Sequence, residues 1–156
     1  MPAGQEPRAQ GERVRDALDR LEGDRDLWIA TASEGRPWLV PLSFHWSGEA
    51  VLMATERNSR TYRNLAAGGA ARVALGDTRD VVMLDGEVEL PDRLGDTDAD
   101  AVAAVTGHDP RQQSDTGYIR IVPARVQAWR TGAEIEGRTI MRDGRWVAQP
   151  ERSSRC

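Results

Sequence analysis

The sequence of 156 residues contains one cysteine, one phenylalanine and no lysine. Because the only cysteine is Cys156, we expect no disulfide within the chain and no metal site built from cysteines. No apolar run approaches the ~20 residues that a membrane-spanning helix needs. The opening segment MPAGQEPRAQGER also lacks the apolar core of a secretory signal. The sequence therefore predicts a cytoplasmic protein that has no membrane partner.

Positive charge comes from arginine alone, with 21 arginines against 25 acidic residues and a net charge of −4. An acidic chain is a poor general binder of nucleic acid, so any cationic site must be local. With only two histidines, no zinc site is predicted, and no glycine-rich dinucleotide loop or P-loop occurs. The arginine-only composition is typical of a GC-rich genome, although the planar arginine fork also suits small anions.

Hydrophobic periodicity predicts a single domain at residues 11–148, between a flexible tail at 1–10 and a second tail at 149–156. Six to eight mostly antiparallel strands and two or three short helices place the chain in the mainly β, α+β class. So many short strands favour a small barrel, because closure removes exposed sheet edges. The predicted strands cover 26–33, 36–46, 50–55, 71–76, 80–90, 116–122, 124–130 and a hairpin at 139–147, and the predicted helices cover 11–24, 59–67 and 96–107.

Two local signals predict backbone details. Pro41 lacks an N–H group, so the second strand should place it at an edge, a bend or a bulge. The Asp143–Gly144 pair between two β-type segments is a strong signal for a hairpin turn.

The segment ATERNSRTYRNLAAGG at residues 54–69 concentrates positive charge directly after an apolar strand. Arg57, Arg60 and Arg63 recur every third residue, and Ser59 and Thr61 add hydroxyl groups between them. Such a segment at the start of a short helix is suited to hold a phosphate, through guanidinium forks and free backbone N–H groups. The alternative is that these arginines form only a solvated face of the helix.

Five motifs in order resemble the pyridoxamine 5′-phosphate oxidase-like family of flavin-binding split barrels. The similarity is greatest to its actinobacterial branch of FMN- and F420-dependent oxidoreductases, and it covers about residues 14–147. The motifs are EGRPWLVPLSF at 34–44, SRTYRNL at 59–65, DVVMLDGEVE at 80–89, YIRIVPARVQAWR at 118–130 and GRTIMRDGRWV at 137–147.

The resemblance implies a split β-barrel of about six antiparallel strands with two or three short flanking helices. It also implies a homodimer with two FMN sites at the subunit interface. The chain's five tryptophans would lie either at this interface or in the core of the barrel. Many relatives carry a lysine where this chain has Thr61, so Arg57 or Arg60 would have to compensate. The implied cofactor-binding residues are Val40, Pro41, Leu42 and Ser43 along the flavin ring, Thr55, Arg57, Ser59, Arg60, Thr61, Arg63 and Asn64 around the phosphate, and Trp129 from the partner subunit.

The function that the resemblance implies is oxidoreduction, with a flavin passing hydride or electrons to a small-molecule substrate. No catalytic residue is assigned, and His45 is either a donor near the cofactor or a structural residue. One alternative is an F420-dependent reductase, whose acidic cofactor tail would need a basic groove near the first helix, built from Arg8, Arg13, Arg15, Arg20 and Arg25. Further alternatives are a non-catalytic carrier of flavin, F420 or haem, such as a stress protein, and a cofactor-free interaction barrel.

Overall fold

The computed structural model describes residues 4–152, so Cys156 and the outer parts of both predicted tails lie outside the described residues. Within that range, three α-helices and nine strands follow one another along the chain. The helices are α1 (Gln10–Gly23), α2 (Arg60–Ala66) and α3 (Asp96–Thr106). The strands are β1 (Asp26–Ser33), β2 (Arg36–Ser43), β3 (His45–Trp46), β4 (Val51–Glu56), β5 (Arg72–Leu75), β6 (Val81–Glu89), β7 (Thr116–Trp129), β8 (Thr139–Arg142) and β9 (Arg145–Trp146).

The strands pair antiparallel in one sheet, in the order β2, β1, β5, β6, β7, β4 and β3, with the β8–β9 hairpin attached to β7. This is the predicted mainly β, α+β split barrel. It has more than about six strands because the segment at 36–46 breaks at Phe44 and the hairpin adds two short strands. The two segments predicted around Pro123 form one strand, β7. The described sheet stays open between β2 and β3, so the closure expected from the sequence is not reached.

The proline-containing strand β2 lies at one end of this sheet. Pro37 pairs with Ala32, and Pro41 pairs with Trp28, both on β1. A strand without a neighbour on its second side tolerates missing N–H donors, so the edge position predicted for Pro41 is confirmed.

Both hairpin turns need backbone angles that few residue types adopt. Glu34 and Gly35 have φ angles of 51° and 73°, and Asp143 and Gly144 have φ angles of 50° and 76°. Positive φ at both central residues is the requirement of the tight type I′ turn. The hairpin predicted at Asp143–Gly144 is therefore confirmed.

Helix α1 packs against β3, β7 and β8 and contributes to the main core. Its apolar residues Val14, Ala17 and Leu21 are at most 1% exposed. They recur at spacings of three and four residues, which places them on one face of a helix. A second, smaller cluster between α3 and the sheet contains Val102, Leu52 and Tyr118. None of the helices in residues 4–152 is long and apolar enough to span a membrane.

The arginines in and around α1 are engaged with neighbouring groups and do not form a free basic groove. Each has an acceptor on the protein, so the groove proposed from the sequence for an acidic cofactor tail is not present at α1. Arg8 and Arg13 pair with Glu134 at 2.9 and 3.3 Å, Arg15 pairs with Asp19 at 3.0 Å, Arg20 pairs with Asp80 at 2.6 Å, and Arg25 donates to the carbonyl of Val105 at 3.0 Å.

The pair between Arg20 and Asp80 makes the stability of the fold depend on pH. Burial alone would raise the pKa of Asp80, but hydrogen bonds from Arg130 and Arg20 outweigh it and hold the pKa below its usual value. A carboxylate with a lowered pKa in the folded state stabilises the protein above its unfolded-state pKa. The loss of this stabilisation begins below the unfolded-state pKa of about 4. It is complete once the pH has fallen through the folded-state pKa.

We therefore expect the free energy of unfolding in urea to fall as the pH is lowered from about 5 to about 2. Asp80→Asn should weaken that dependence, because the asparagine does not titrate. Asp92→Asn serves as the control, since Asp92 is exposed and makes no ion pair with another described residue. Equal pH profiles for Asp80→Asn and the wild type would contradict the prediction.

Candidate functional site

Helix α2 is held in place by polar and apolar contacts on its buried side. Ser59 is its N-cap, and the Ser59 hydroxyl accepts a hydrogen bond from the backbone N–H of Tyr62. The Tyr62 ring packs so closely on Gly117 that a Cβ added there would lie 2.6 Å from it. The Asn64 side chain donates to the Thr31 hydroxyl at 3.0 Å, and both residues are buried. These contacts fix which face of α2 remains exposed.

The exposed face of α2 and the β1–β2 turn line an open, polar cavity of about 260 Å³. Arg60 and Arg63 come from α2, three residues apart, and Arg36 faces them from the start of β2. The hairpin turn therefore supplies a third arginine that sequence reasoning did not assign to the site. Arg36 is the arginine of the EGRP motif, but nothing in the sequence indicates that this turn lies beside α2. The lining residues are Ser33, Glu34, Arg36, Arg60, Arg63 and Asn64.

The three arginines of this cavity lack acidic partners among the described residues, unlike those around α1. No carboxylate of residues 4–152 lies within salt-bridge distance of Arg36, Arg60 or Arg63. The guanidinium of Arg60 instead lies over the ring of Trp38, 4.9 Å from its centroid. Three guanidinium groups and the Glu34 carboxylate leave the lining with a net formal charge of +2. We call this group of residues the arginine cavity.

Several other residues predicted around the phosphate do not line the arginine cavity. Arg57 turns to the other side of α2, where it donates to the carbonyl of Thr116 at 3.2 Å and approaches the Tyr62 hydroxyl. Thr61 is 3% exposed, and Thr55 is half-buried on β4, paired with Gly117. Because α2 has only seven residues, its dipole is small, and Ser59 already satisfies one of its first N–H groups.

The residues predicted along the flavin ring lie on the edge strand β2. Val40 and Leu42 pack against the main core, whereas Pro41 points to the opposite face of the sheet, beside Trp28. The Ser43 hydroxyl donates to Asp26 at 2.6 Å. None of these four lines the arginine cavity, but their strand has no neighbour on its second side among the described residues.

Trp129 and His45 lie away from the arginine cavity. Trp129 pairs with Val81 near the end of β7, and Arg138 lies over its ring at 5.9 Å. The Nε2 atom of His45 is 3.9 Å from the carboxylate of Asp98 on α3. Within residues 4–152 of the chain, neither side chain contacts the residues that line the arginine cavity.

The outer face of the sheet carries a row of apolar side chains across neighbouring strands. Pro41, Trp28, Ala74 and Met83 occupy successive register positions on β2, β1, β5 and β6. Trp28 is 50% exposed and the adjacent Leu39 is 60% exposed. A charged row lies beside it, in which Asp85 pairs with Arg72 at 3.1 Å and with Arg125 at 2.7 Å. We call this surface the outer face.

The fold and the order of its motifs agree with one known protein family. The family model described as pyridoxamine 5′-phosphate oxidase matches residues 15–130, well over half of the chain. The chain belongs to this family.

Solved structures with the same fold include proteins that differ in what they bind. A FAD-binding protein from Mesorhizobium loti is 23% identical, with a TM-score of 0.59, over 71% of this chain and 87% of its own. An F420 reductase is 22% identical, with a TM-score of 0.55, over 68% and 91%. A heme binding protein from Mycobacterium smegmatis is 21% identical, with a TM-score of 0.59, over 85% and 57%. At these identities the likeness is one of fold. Among curated proteins, none matches this chain.

Proposed function

We propose that the protein binds FMN and acts as a flavin-dependent oxidoreductase on a small molecule. The observation that carries this proposal is the arginine cavity of a member of this family: Arg36, Arg60 and Arg63 line it, and none of the three pairs with a carboxylate of residues 4–152. Guanidinium forks bind phosphate through charge-assisted hydrogen bonds. The chemistry of the lining therefore fits the phosphate end of the cofactor.

The roles of the residues follow from their positions. Arg60 and Arg63 hold the phosphate from α2, and Arg36 holds it from the β1–β2 turn. Stacking on Trp38 restrains Arg60, which lowers the entropy lost when a ligand binds. The Asn64–Thr31 hydrogen bond ties α2 to β1, so it positions the two helical arginines without providing charge.

The free edge of β2 is the proposed support for the flavin ring. Its backbone groups on the second side have no strand partner in the part of the chain that the structure describes, and buried backbone groups of this kind need hydrogen-bonding partners. Val40, Pro41, Leu42 and Ser43 would thus present backbone atoms to the polar edge of the ring. When bound, the flavin supplies the hydride and electron chemistry, while the protein holds the cofactor and tunes it.

FMN is favoured over F420 by the state of the arginines around α1. Their engagement with carboxylates and a carbonyl leaves no second basic groove there for an acidic cofactor tail. We also propose that the protein acts in the cytoplasm.

The proposed function is tested by identifying the natural ligand. Mass spectrometry of the small molecules released from the native protein should show FMN, and titration should show tighter binding of FMN than of riboflavin or F420. Reduction of the bound flavin by NAD(P)H, followed by reoxidation with an acceptor, would separate an enzyme from a carrier. Release of F420 or haem, or of no cofactor, would contradict the FMN proposal.

We also propose that the protein is a homodimer that buries the outer face and completes the cofactor site with residues such as Trp129 of a second subunit. An apolar row bordered by charged residues is typical of a subunit interface. Light scattering at micromolar concentration should then give about twice the chain mass of 17.2 kDa.

Trp28→Glu is expected to shift the protein to a monomer, because it places a charge in the apolar row. Its melting behaviour should otherwise be that of a folded monomer, since Trp28 is half exposed on the single chain. Ala104→Glu, at an exposed position on α3, is the control and should remain a dimer. A monomeric wild type, or a dimeric Trp28→Glu variant, would refute this interface.

A further inference from the structure

The arginine cavity contains one acidic residue, Glu34. A carboxylate does not attract a phosphate, so phosphate binding alone does not explain this residue. Glu34 lines the cavity together with Arg36, Arg60 and Arg63. No arginine or histidine of the described residues lies within salt-bridge distance of it. A carboxylate that only neutralised an arginine would pair with one directly, as Glu134 does with Arg8.

The backbone holds Glu34 at this position. It is the first central residue of the two-residue turn between Ser33 and Arg36, with a φ of 51°. Positive φ is uncommon for a residue other than glycine, asparagine or aspartate. A preference of glutamate for the turn conformation therefore does not explain why it occupies this position. Ser33 and Arg36, which flank the turn, pair with each other across β1 and β2, and this keeps the backbone of Glu34 beside the cavity.

The consequence of this carboxylate is electrostatic. It reduces the formal charge of the lining from +3 to +2. A terminal phosphate carries about −1.5 to −2 charges at pH 7, which a lining of +2 balances. A pyrophosphate carries more negative charge than the lining balances, and the Glu34 carboxylate would repel the additional charge.

We propose that Glu34 is a specificity-determining residue of the arginine cavity, which selects a single terminal phosphate over pyrophosphate and other more highly charged groups. This inference rests on the proposed function, because it concerns the same site. It names the ligand class as a phosphate monoester, the form in which FMN carries its phosphate.

The test compares inorganic phosphate with inorganic pyrophosphate by isothermal titration calorimetry, on the full chain and its Glu34→Gln variant. Glutamine keeps the length and shape of the side chain and removes its charge. The affinity for pyrophosphate relative to phosphate should rise about 3- to 10-fold in Glu34→Gln, as one additional ligand charge no longer meets a carboxylate. Glu136→Gln, at an exposed position outside the cavity, makes the same change in net charge and should leave the ratio unchanged.

Each outcome has a definite meaning. An unchanged ratio in Glu34→Gln, or an equal shift in Glu136→Gln, overturns the proposed role of Glu34. The absence of any phosphate binding to either variant or to the wild type also overturns it. Phosphate binding with the expected ratio change, in a protein that does not bind FMN, would support the role of Glu34 and contradict only the proposed function.

Discussion

Replacing Arg63 by alanine is expected to weaken FMN binding by about 10- to 100-fold. A hydrogen bond to a charged group contributes about 1.5–3 kcal/mol, and each 1.4 kcal/mol corresponds to about a tenfold change in affinity. The Arg63 side chain is exposed and makes no ion pair with another described residue, so the melting temperature should hardly change. Fluorescence titration with FMN and circular dichroism measure the two effects separately.

Arg79→Ala is the matched control for this prediction. Arg79 is exposed in the β5–β6 turn, where only its backbone N–H makes a hydrogen bond, to Asp77. The Arg79→Ala variant loses the same charge at a distance from the arginine cavity, so it should bind FMN with wild-type affinity. Arg60→Ala and the double variant should also lose affinity. If all these variants bind FMN as the wild type does, the arginines are only a solvated helix face.

Glu134→Ala is expected to lower the free energy of unfolding by about 3–5 kcal/mol, the usual cost of removing one partner from a buried ion pair. The Glu134 carboxylate accepts hydrogen bonds from Arg8 at 2.9 to 3.2 Å and lies 3.3 Å from Arg13. The side chains of Glu134 and Arg13 are 3% and 4% exposed. Without the carboxylate, two positive charges remain close together in a poorly hydrated site.

Urea unfolding of Glu134→Ala and of Glu136→Ala provides the measurement and its control. Glu136 lies two residues later and is exposed, so its replacement should change the free energy of unfolding by less than about 0.5 kcal/mol. A loss of similar size in both variants would show that the buried cluster has no special role in stability. The cluster also joins Arg8, from the segment predicted as a tail, to the body of the protein.

The predictions that succeeded depended on local signals. Residues 26–33 form β1 with the predicted bounds, because apolar and polar residues alternate between two turns. The helix predicted at 59–67 is present as α2, capped by Ser59, whose hydroxyl accepts from an N–H only three residues away. Gly107 ends α3 in the left-handed conformation, which glycine adopts at little cost.

The sequence was least informative about contacts between distant segments. Arg57 looked equivalent to Arg60 and Arg63 in sequence, but the start of β7 offers it a backbone carbonyl on the other side of α2. The arginines near α1 looked available for a ligand, yet their acceptors include Asp80 and Glu134, far away in sequence. Arg36 was overlooked because it belongs to a different motif from Arg60.

The amino-acid sequence by itself determined the helices, the strands, the hairpin turns and, through five ordered motifs, the family. These features depend on side-chain periodicity and backbone preferences within a few residues, which a sequence displays directly. Only the tertiary structure decided which arginines are free to bind an anion and which are neutralised. That distinction depends on pairing between segments far apart in the chain, because a guanidinium group is available to a ligand only where the fold brings no carboxylate near it.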